Sequence, residues 1–357
     1  MNFIFLLLIP LAIAAGSFLL LKDTVTWKEF VLQLVLGGVV CGVAWQTAKW
    51  GALQSVEHLN GRITEKIADT QKCCHCHQVC DARNDKGACM SSHESCSHFR
   101  DHYWELQTSV GNIPIEDCSG SDDPPDVWVE ARVGEPAAVE HRYTNYLLAD
   151  PDSLMVHTIP VNFYDQVPEY PNVHAKYKVD HVIGDRVSSA SLLQPALREL
   201  NADIGASNQV DVTLLLTGIQ DPTYAQAVEA KWLYGPKNSI TIVAGLRGDT
   251  VQWVRVVTFS KVEMLKVRLR DQLQGLTIDD PRFISTIRRE ITGGFRRTKM
   301  ANFEYLAATA SPRGWSLAFL ILFEILASVG LAYWAHVKDI FGDEVFSRNR
   351  KYNRYYS

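Results

Sequence analysis

The chain has 357 residues, with 35 Lys and Arg against 40 Asp and Glu, for a formal net charge of −5. That length accommodates two modest domains with cores of their own. The acidic balance excludes nucleic acid as the expected partner.

In chain order, Phe3 to Leu21 is nearly unbroken Phe, Leu, Ile and Ala, and Phe30 to Trp45 (extended by Ala48) and Trp315 to Trp334 are similarly apolar. About 20 apolar residues cross a bilayer, so spanning helices are expected at about 3–21, 29–48 and 313–337. A cleaved signal peptide is the alternative for the first stretch, which lacks a basic leader and a clear small-x-small site before Lys22.

Basic residues beside the membrane set the orientation. Lys22 and Lys28 separate the first two spans, while Arg348, Arg350, Lys351 and Arg354 follow the third, in a basic tail over 338–357. Both groups belong in the cytosol, which puts the chain from about Gly51 to Pro312 in the periplasm or outside the cell, on a multi-pass protein of the inner (plasma) membrane. Lys49, Arg296, Arg297 and Lys299 vote the other way.

Glu324 lies nine residues from Trp315 and ten from Trp334, near the bilayer centre, where an ionisable group is costly unless protonated or partnered. Its level matches Gly37 to Gly42, in which Gly38 and Gly42 form a small-xxx-small surface for close helix approach. Glu324 reads either as part of a proton or ion path or as a hydrogen-bonding residue across the bundle or between protomers. With no second charged residue in the apolar runs 3–21, 30–45 and 315–334, packing is the preferred reading for Gly38, Gly42 and Glu324.

Residues 51–135 read as a small β-rich module. Asn60-Gly61 signals a hairpin, with a helix as the alternative; "HYWELQTSVGNIPIED" gives another, turning at Gly111-Asn112; "VWVEARV" reads as a strand. A module with so little core needs staples. Cys73, Cys74, Cys76, Cys80, Cys89, Cys96 and Cys118 are available, with His75, His77, His93, His98 and His102 among them. In an oxidising compartment these thiols pair, which is the leading reading. Seven is odd, leaving one thiol free or bonded to a second chain. Zinc is the runner-up, on Cys73, Cys76, His93 and Cys96 as a closed structural site. Cys73, Cys76 and His77 also match the C-x-x-C-H haem attachment pattern, the least favoured reading.

Past a connecting segment at 136–174, strands and helices alternate in the order βαβαββαα, an α/β sandwich whose sheet is covered on both faces. The helix from Ser191 is expected to stop near Gly205, and the turn "RGDT" joins the last two strands. Residues 175–308 resemble the TPM domain, found in membrane-tethered outward-facing proteins of bacteria, plastids and animals. The resemblance rests on Gly205, the Val-Asp-Val strand at Val210 to Val212, Tyr224-Ala225, Trp232, and Gly235 before Lys237-Asn238. The wider layout is similar to uncharacterised membrane proteins of large tailed phages and some bacteria. The TPM resemblance implies an outward-facing domain, and phosphatase activity or metal binding through acidic loops in some relatives, assembly roles in others.

Asp221 and Asp249 are the nearest matches to such acids, although Asp221 also suits a helix cap before Pro222. No nucleophile elbow, phosphate loop or H-E-x-x-H pattern accompanies them. The sequence therefore predicts a three-span membrane protein whose work is binding, with Tyr234 and Trp253 as contact residues, an unidentified protein partner, self-association, and no cofactor. A TPM-type metal-dependent hydrolase and a structural zinc protein are the rivals.

Overall fold

In a computed structural model, residues 3–20, 25–72, 75–84, 87–97, 100–116, 123–149, 161–186, 192–232, 235–260, 262–312 and 314–338 are described. The chain divides into two compact units, Met1–Ser55 with Thr144–Leu154 and Met300–Ser357, and Val56–Tyr143 with Met155–Lys299.

The first unit holds α1 (Phe3–Leu20), α2 (Trp27–Ala52) and the last helix, α9 (Gly314–Lys338), each long and apolar enough to cross a membrane. Thr26 opens α2 with a capping box, its hydroxyl accepting the Glu29 N–H while the Glu29 carboxylate returns to the Thr26 N–H. Leu6, Cys41 and Leu320 pack together with Trp45, Ala48 and Ile321, setting the start of α9 against the second half of α2, so these two helices run antiparallel. The close helix approach falls at Gly37, where an added Cβ would lie 2.8 Å from Pro10 Cβ; a Cβ added at Gly38 or Gly42 would meet nothing within 4 Å among the described residues.

The second unit has two sheets. β1 (Gln54–Lys72), β4 (Arg100–Thr108), β5 (Gly111–Glu116) and β6 (Pro136–Thr144) form one, in the order β5-β4-β1-β6. Its core is Ile63, Trp104, Leu106, Ile113, Ile115 and Tyr177. β1 and β4 pair from Ile63 and Thr108 out to Lys72 and Arg100. In the sequence between these arms lies a two-stranded hairpin, β2 (Cys76–Arg83) and β3 (Cys89–Cys96).

Three expectations fail in this sheet. Asn60-Gly61 makes no turn, because β1 runs straight through it. Glycine there suits crowding instead, since a Cβ at Gly61 would meet Ser109 Oγ at 2.3 Å and Val110 Cγ2 at 3.0 Å. The β4 to β5 turn is at Ser109-Val110, before Gly111-Asn112. "VWVEARV" begins inside the short helix α3 (Asp126–Glu130), started by Pro125, whose carbonyl accepts the Trp128 N–H. Its Trp128 packs on Trp104 at 4.7 Å under Lys66, so the β-branched alternation there does not mark a strand.

After α4 (Val161–Tyr164) and a small hairpin of β7 (Val173–His174) with β8 (Lys178–Val179), the second sheet takes β9 (Val182–Gly184), β10 (Asp211–Thr217), β11 (Ser239–Arg247) and β12 (Thr250–Val257) in the order β12-β11-β10-β9. β9, β10 and β11 are parallel; β12 is antiparallel. The expected single strand over "AKYKVDHVIG" is thus split between β8 and β9. With α5 (Leu193–Asn208), α6 (Tyr224–Trp232), α7 (Glu263–Leu273) and α8 (Pro281–Gly294), the order from β9 onward is βαβαββαα.

Alternation along β10 sorts the core. Val212, Leu214 and Leu216 join α5, α7 and α8, while Leu215 joins α6 with Trp232 and Trp253. Both faces are covered, which is why β10 is buried at every position. Gly205 is not a helix stop, for α5 continues to Asn208. It permits contact with β1, where a Cβ would lie 2.5 Å from the Asn60 carbonyl oxygen.

Candidate functional site

The two sheets of the second unit share a buried polar node. Asp211, the first residue of β10, is fully buried. Asn60 Nδ2 donates to its Oδ1 at 2.8 Å and the Tyr170 hydroxyl to its Oδ2 at 3.0 Å. His181 Nδ1 lies 3.3 Å from Oδ1 and His58 Nδ1 3.6 Å from Oδ2, ion-pair distances with both rings buried. Burial opposes charge on Asp211, yet the imidazoles of His181 and His58 prevail and hold its carboxyl well below the usual carboxylate range. Burial likewise opposes charge on His58, but Asp211, with Glu140, raises its pKa above the ordinary histidine value. Burial and the Asp211 charge push the Tyr170 phenol well up, keeping it a donor.

A second buried acid stands nearby in β1. Glu57 Oε1 receives His141 Nδ1 at 2.8 Å, Lys237 Nζ at 3.4 Å and the Arg297 guanidinium. Lys237 also sits 3.9 Å above the Tyr143 ring, and its pKa falls through burial and the neighbouring Arg297, against the pull of Glu57. Asn238 closes the join, donating to the His58 carbonyl at 2.7 Å. β1 and β6 are thereby bound to the ends of β10 and β11 by charge and hydrogen bonds rather than by apolar contact alone. An open groove of about 250 Å³, lined by Asn60, Tyr177, Lys178, His181, Arg198 and Ala202 among others, borders the Asp211 node.

Four cysteines of the cluster are among the described residues. Cys76 bonds Cys96 and Cys80 bonds Cys89, with Cα separations of 4.0 and 5.8 Å. Cys73, Cys74 and Cys118 lie outside the described residues, as does Tyr234. His75, His77 and His93 are exposed, and His93 Nδ1 meets the Asp81 carboxylate at 2.5 Å. Among the described residues, Cys76, Glu94 and Cys96 are the one group of three with metal-ligand spacing, and two of its sulfurs are bonded to each other. In this oxidised form neither Cys76 nor Cys96 offers a thiolate to zinc, and Cys76 offers none to haem.

Asp221 is exposed, and its carboxylate accepts the Thr223 N–H at 2.9 Å, capping the approach to α6. Asp249 is exposed in the β11 to β12 turn, where Gly248 has φ +60° and the Asp249 carbonyl accepts the Ile278 N–H. Neither belongs to a three-ligand group among the described residues. Trp253 is no surface contact: it is 7% exposed, with its indole donating to the Ile219 carbonyl at 3.0 Å.

Sequence reasoning missed Asp211, His58 and His181 as a group. One signal was present, a single acid heading the otherwise apolar run "DVTLLLT". No family model, curated protein or solved structure matches this chain. The chain is an α/β protein with a small disulfide-bonded β module and three helices apolar enough to span a membrane.

Proposed function

We propose that this chain is a membrane-anchored, outward-facing interaction or assembly protein, displaying a disulfide-braced hairpin and a TPM-like α/β domain outside the cytosol. The observation that carries the reading is the β2 and β3 hairpin. Among the described residues these strands pair only with each other, and every residue of β3 except Ser95 is exposed. The hairpin contributes nothing to the hydrophobic clusters, yet two cross-strand disulfides fix its register. Rigid exposed strands whose outer edges pair with no other described strand suit strand addition by a protein partner. Disulfides persist in oxidising compartments, which supports placing this segment outside.

The hydrolase reading gains no support from Asp221, whose carboxylate caps a helix. Self-association remains part of the proposal. Among the described residues a Cβ added at Gly38 or Gly42 would meet nothing within 4 Å, and the seven cysteines from Cys73 to Cys118 are an odd number. The test replaces the hairpin 76–96 with a short Gly/Ser turn in the full-length protein. Retained thermal stability with loss of in-membrane cross-links to a partner or second copy is the expected result. Unchanged cross-links would overturn the assignment to the hairpin.

A further inference from the structure

The helical bundle of the first unit is apolar towards one end and polar towards the other. α2 turns Glu29, Gln33, Gly37 and Cys41 inward at a spacing of four residues. α9 turns Leu320, Glu324, Ser328, Ala332 and Ala335 inward, and α1 turns Leu6, Pro10 and Ala14. The Leu6, Cys41 and Leu320 end is packed with aliphatic and aromatic side chains. Towards the start of α2, Ser17 Oγ bonds Gln33 Oε1 at 2.8 Å, and Ser328 Oγ approaches Glu324 Oε1 at 3.5 Å.

Glu29 therefore supplies a second acid in the bundle interior, just before the apolar run that begins at Phe30. Among the described residues, three buried polar atoms here have no hydrogen-bond partner: Glu29 Oε1, Gln33 Nε2 and Glu324 Oε2. Their residues are 0, 5 and 0% exposed. Hydrocarbon tolerates such atoms only where something polar or cationic meets them. Cys41 packs with Leu320, one turn before Glu324 on the same face of α9, and α9 runs antiparallel to α2, so Ser328 falls one turn from Glu324 towards the level of Gln33. The polar line from Glu29 to the level of Cys41 spans about 18 Å of helix, at roughly 1.5 Å per residue. On the elements packed around Glu324, α1 has no titratable side chain. α2 contributes Cys41 and Glu29 inward with Lys28 and Lys49 half-buried; α9 adds half-buried His336 and exposed Tyr333 and Lys338.

We propose that Glu324 is a cation-exchanging carboxyl, taking a proton or a sodium ion that reaches it from the end of the bundle where α2 begins. The oxygen without a partner is the acceptor, and the line of Ser328, Gln33, Ser17 and Glu29 is the approach. The apolar cluster around Leu6, Cys41 and Leu320 closes the other side.

The test uses the full-length protein in liposomes, sorted by protease access to the second unit, and treated with dicyclohexylcarbodiimide, a probe of protonated carboxyls in apolar surroundings. Peptide mass spectrometry reads the adduct at Glu324. We expect at least fivefold more adduct at pH 6 than at pH 9, following the pH of the compartment facing the start of α2. Suppression by sodium chloride, but not by choline chloride, assigns sodium as the occupant; insensitivity to sodium assigns the proton. No adduct at Glu324 across this pH range, or labelling that follows the opposite compartment, would overturn the proposal. Glu324→Gln is the mapping control and must carry no adduct at that peptide.

Discussion

Replacing Asp211 by alanine removes the acceptor of two buried donors, Asn60 Nδ2 and the Tyr170 hydroxyl, and the counter-charge of His58 and His181. Each orphaned donor costs about 1–3 kcal/mol, and breaking a buried charge pair about 3–5 kcal/mol in all, the terms overlapping because they share one carboxylate. For a domain of this size about 2–4 °C of Tm accompanies each kcal/mol, so Asp211→Ala lowers the Tm of the second unit by roughly 6–20 °C. Asp211→Asn keeps an oxygen for Asn60 and loses the charge, and falls between the variant and the wild type. The assay is thermal unfolding of full-length protein in detergent, followed by tryptophan fluorescence. The charge component depends on protonated histidine, so the wild-type advantage is larger at pH 6 than at pH 8. An alanine variant within about 2 °C of wild type at pH 6 would refute the view that this node joins the sheets.

The remaining predictions use the same measurement or a simple variant of it. His58 has a raised folded pKa, so its contribution is complete below its unfolded value near 6.5 and is lost as pH rises through the folded value; Asp211 is lowered, so its contribution is lost as pH falls below about 4. Stability therefore peaks between these limits, and His58→Asn flattens the alkaline limb of the Tm profile. Gly205→Ala drives a methyl to 2.5 Å from the Asn60 carbonyl and destabilises by about 1–3 kcal/mol, read as a fall in Tm. Cys76→Ser with Cys96→Ser removes the bond across a sequence separation of 20 residues, worth about 3 kcal/mol in chain entropy. That loss is confined to the exposed hairpin, so proteolysis within 76–96 accelerates while the main Tm moves by less than about 3 °C.

What the sequence made legible was repetitive: apolar runs for spans, period and punctuation for the α/β order, cysteine density for staples. Turn chemistry misled where glycine served close packing. Gly61 and Gly205 stand against Ser109 and Asn60, partners far along the chain that no local window contains. Trp253 looked like a contact because aromatic residues mark surfaces as often as cores, and only the fold shows its indole bonded to Ile219. The Asp211 node was hidden because His58, Tyr170 and His181 come from separate segments, brought together by β1 docking on α5. Asp221 and Asp249 drew attention as loop acids, whereas Asp211 and Glu57, two of the acids that the structure buries, open or sit within strands.

The central claim is that the segment between α2 and α9 lies outside the cytosol and is held by cystine. It is tested most directly by acid-quenching intact cells, alkylating under denaturing conditions and mapping disulfide-linked peptides by mass spectrometry. The account predicts Cys76 joined to Cys96 and Cys80 joined to Cys89 in the bulk of the protein. Recovery of these four as alkylated thiols, with a stoichiometric metal ion in the purified chain, would contradict it.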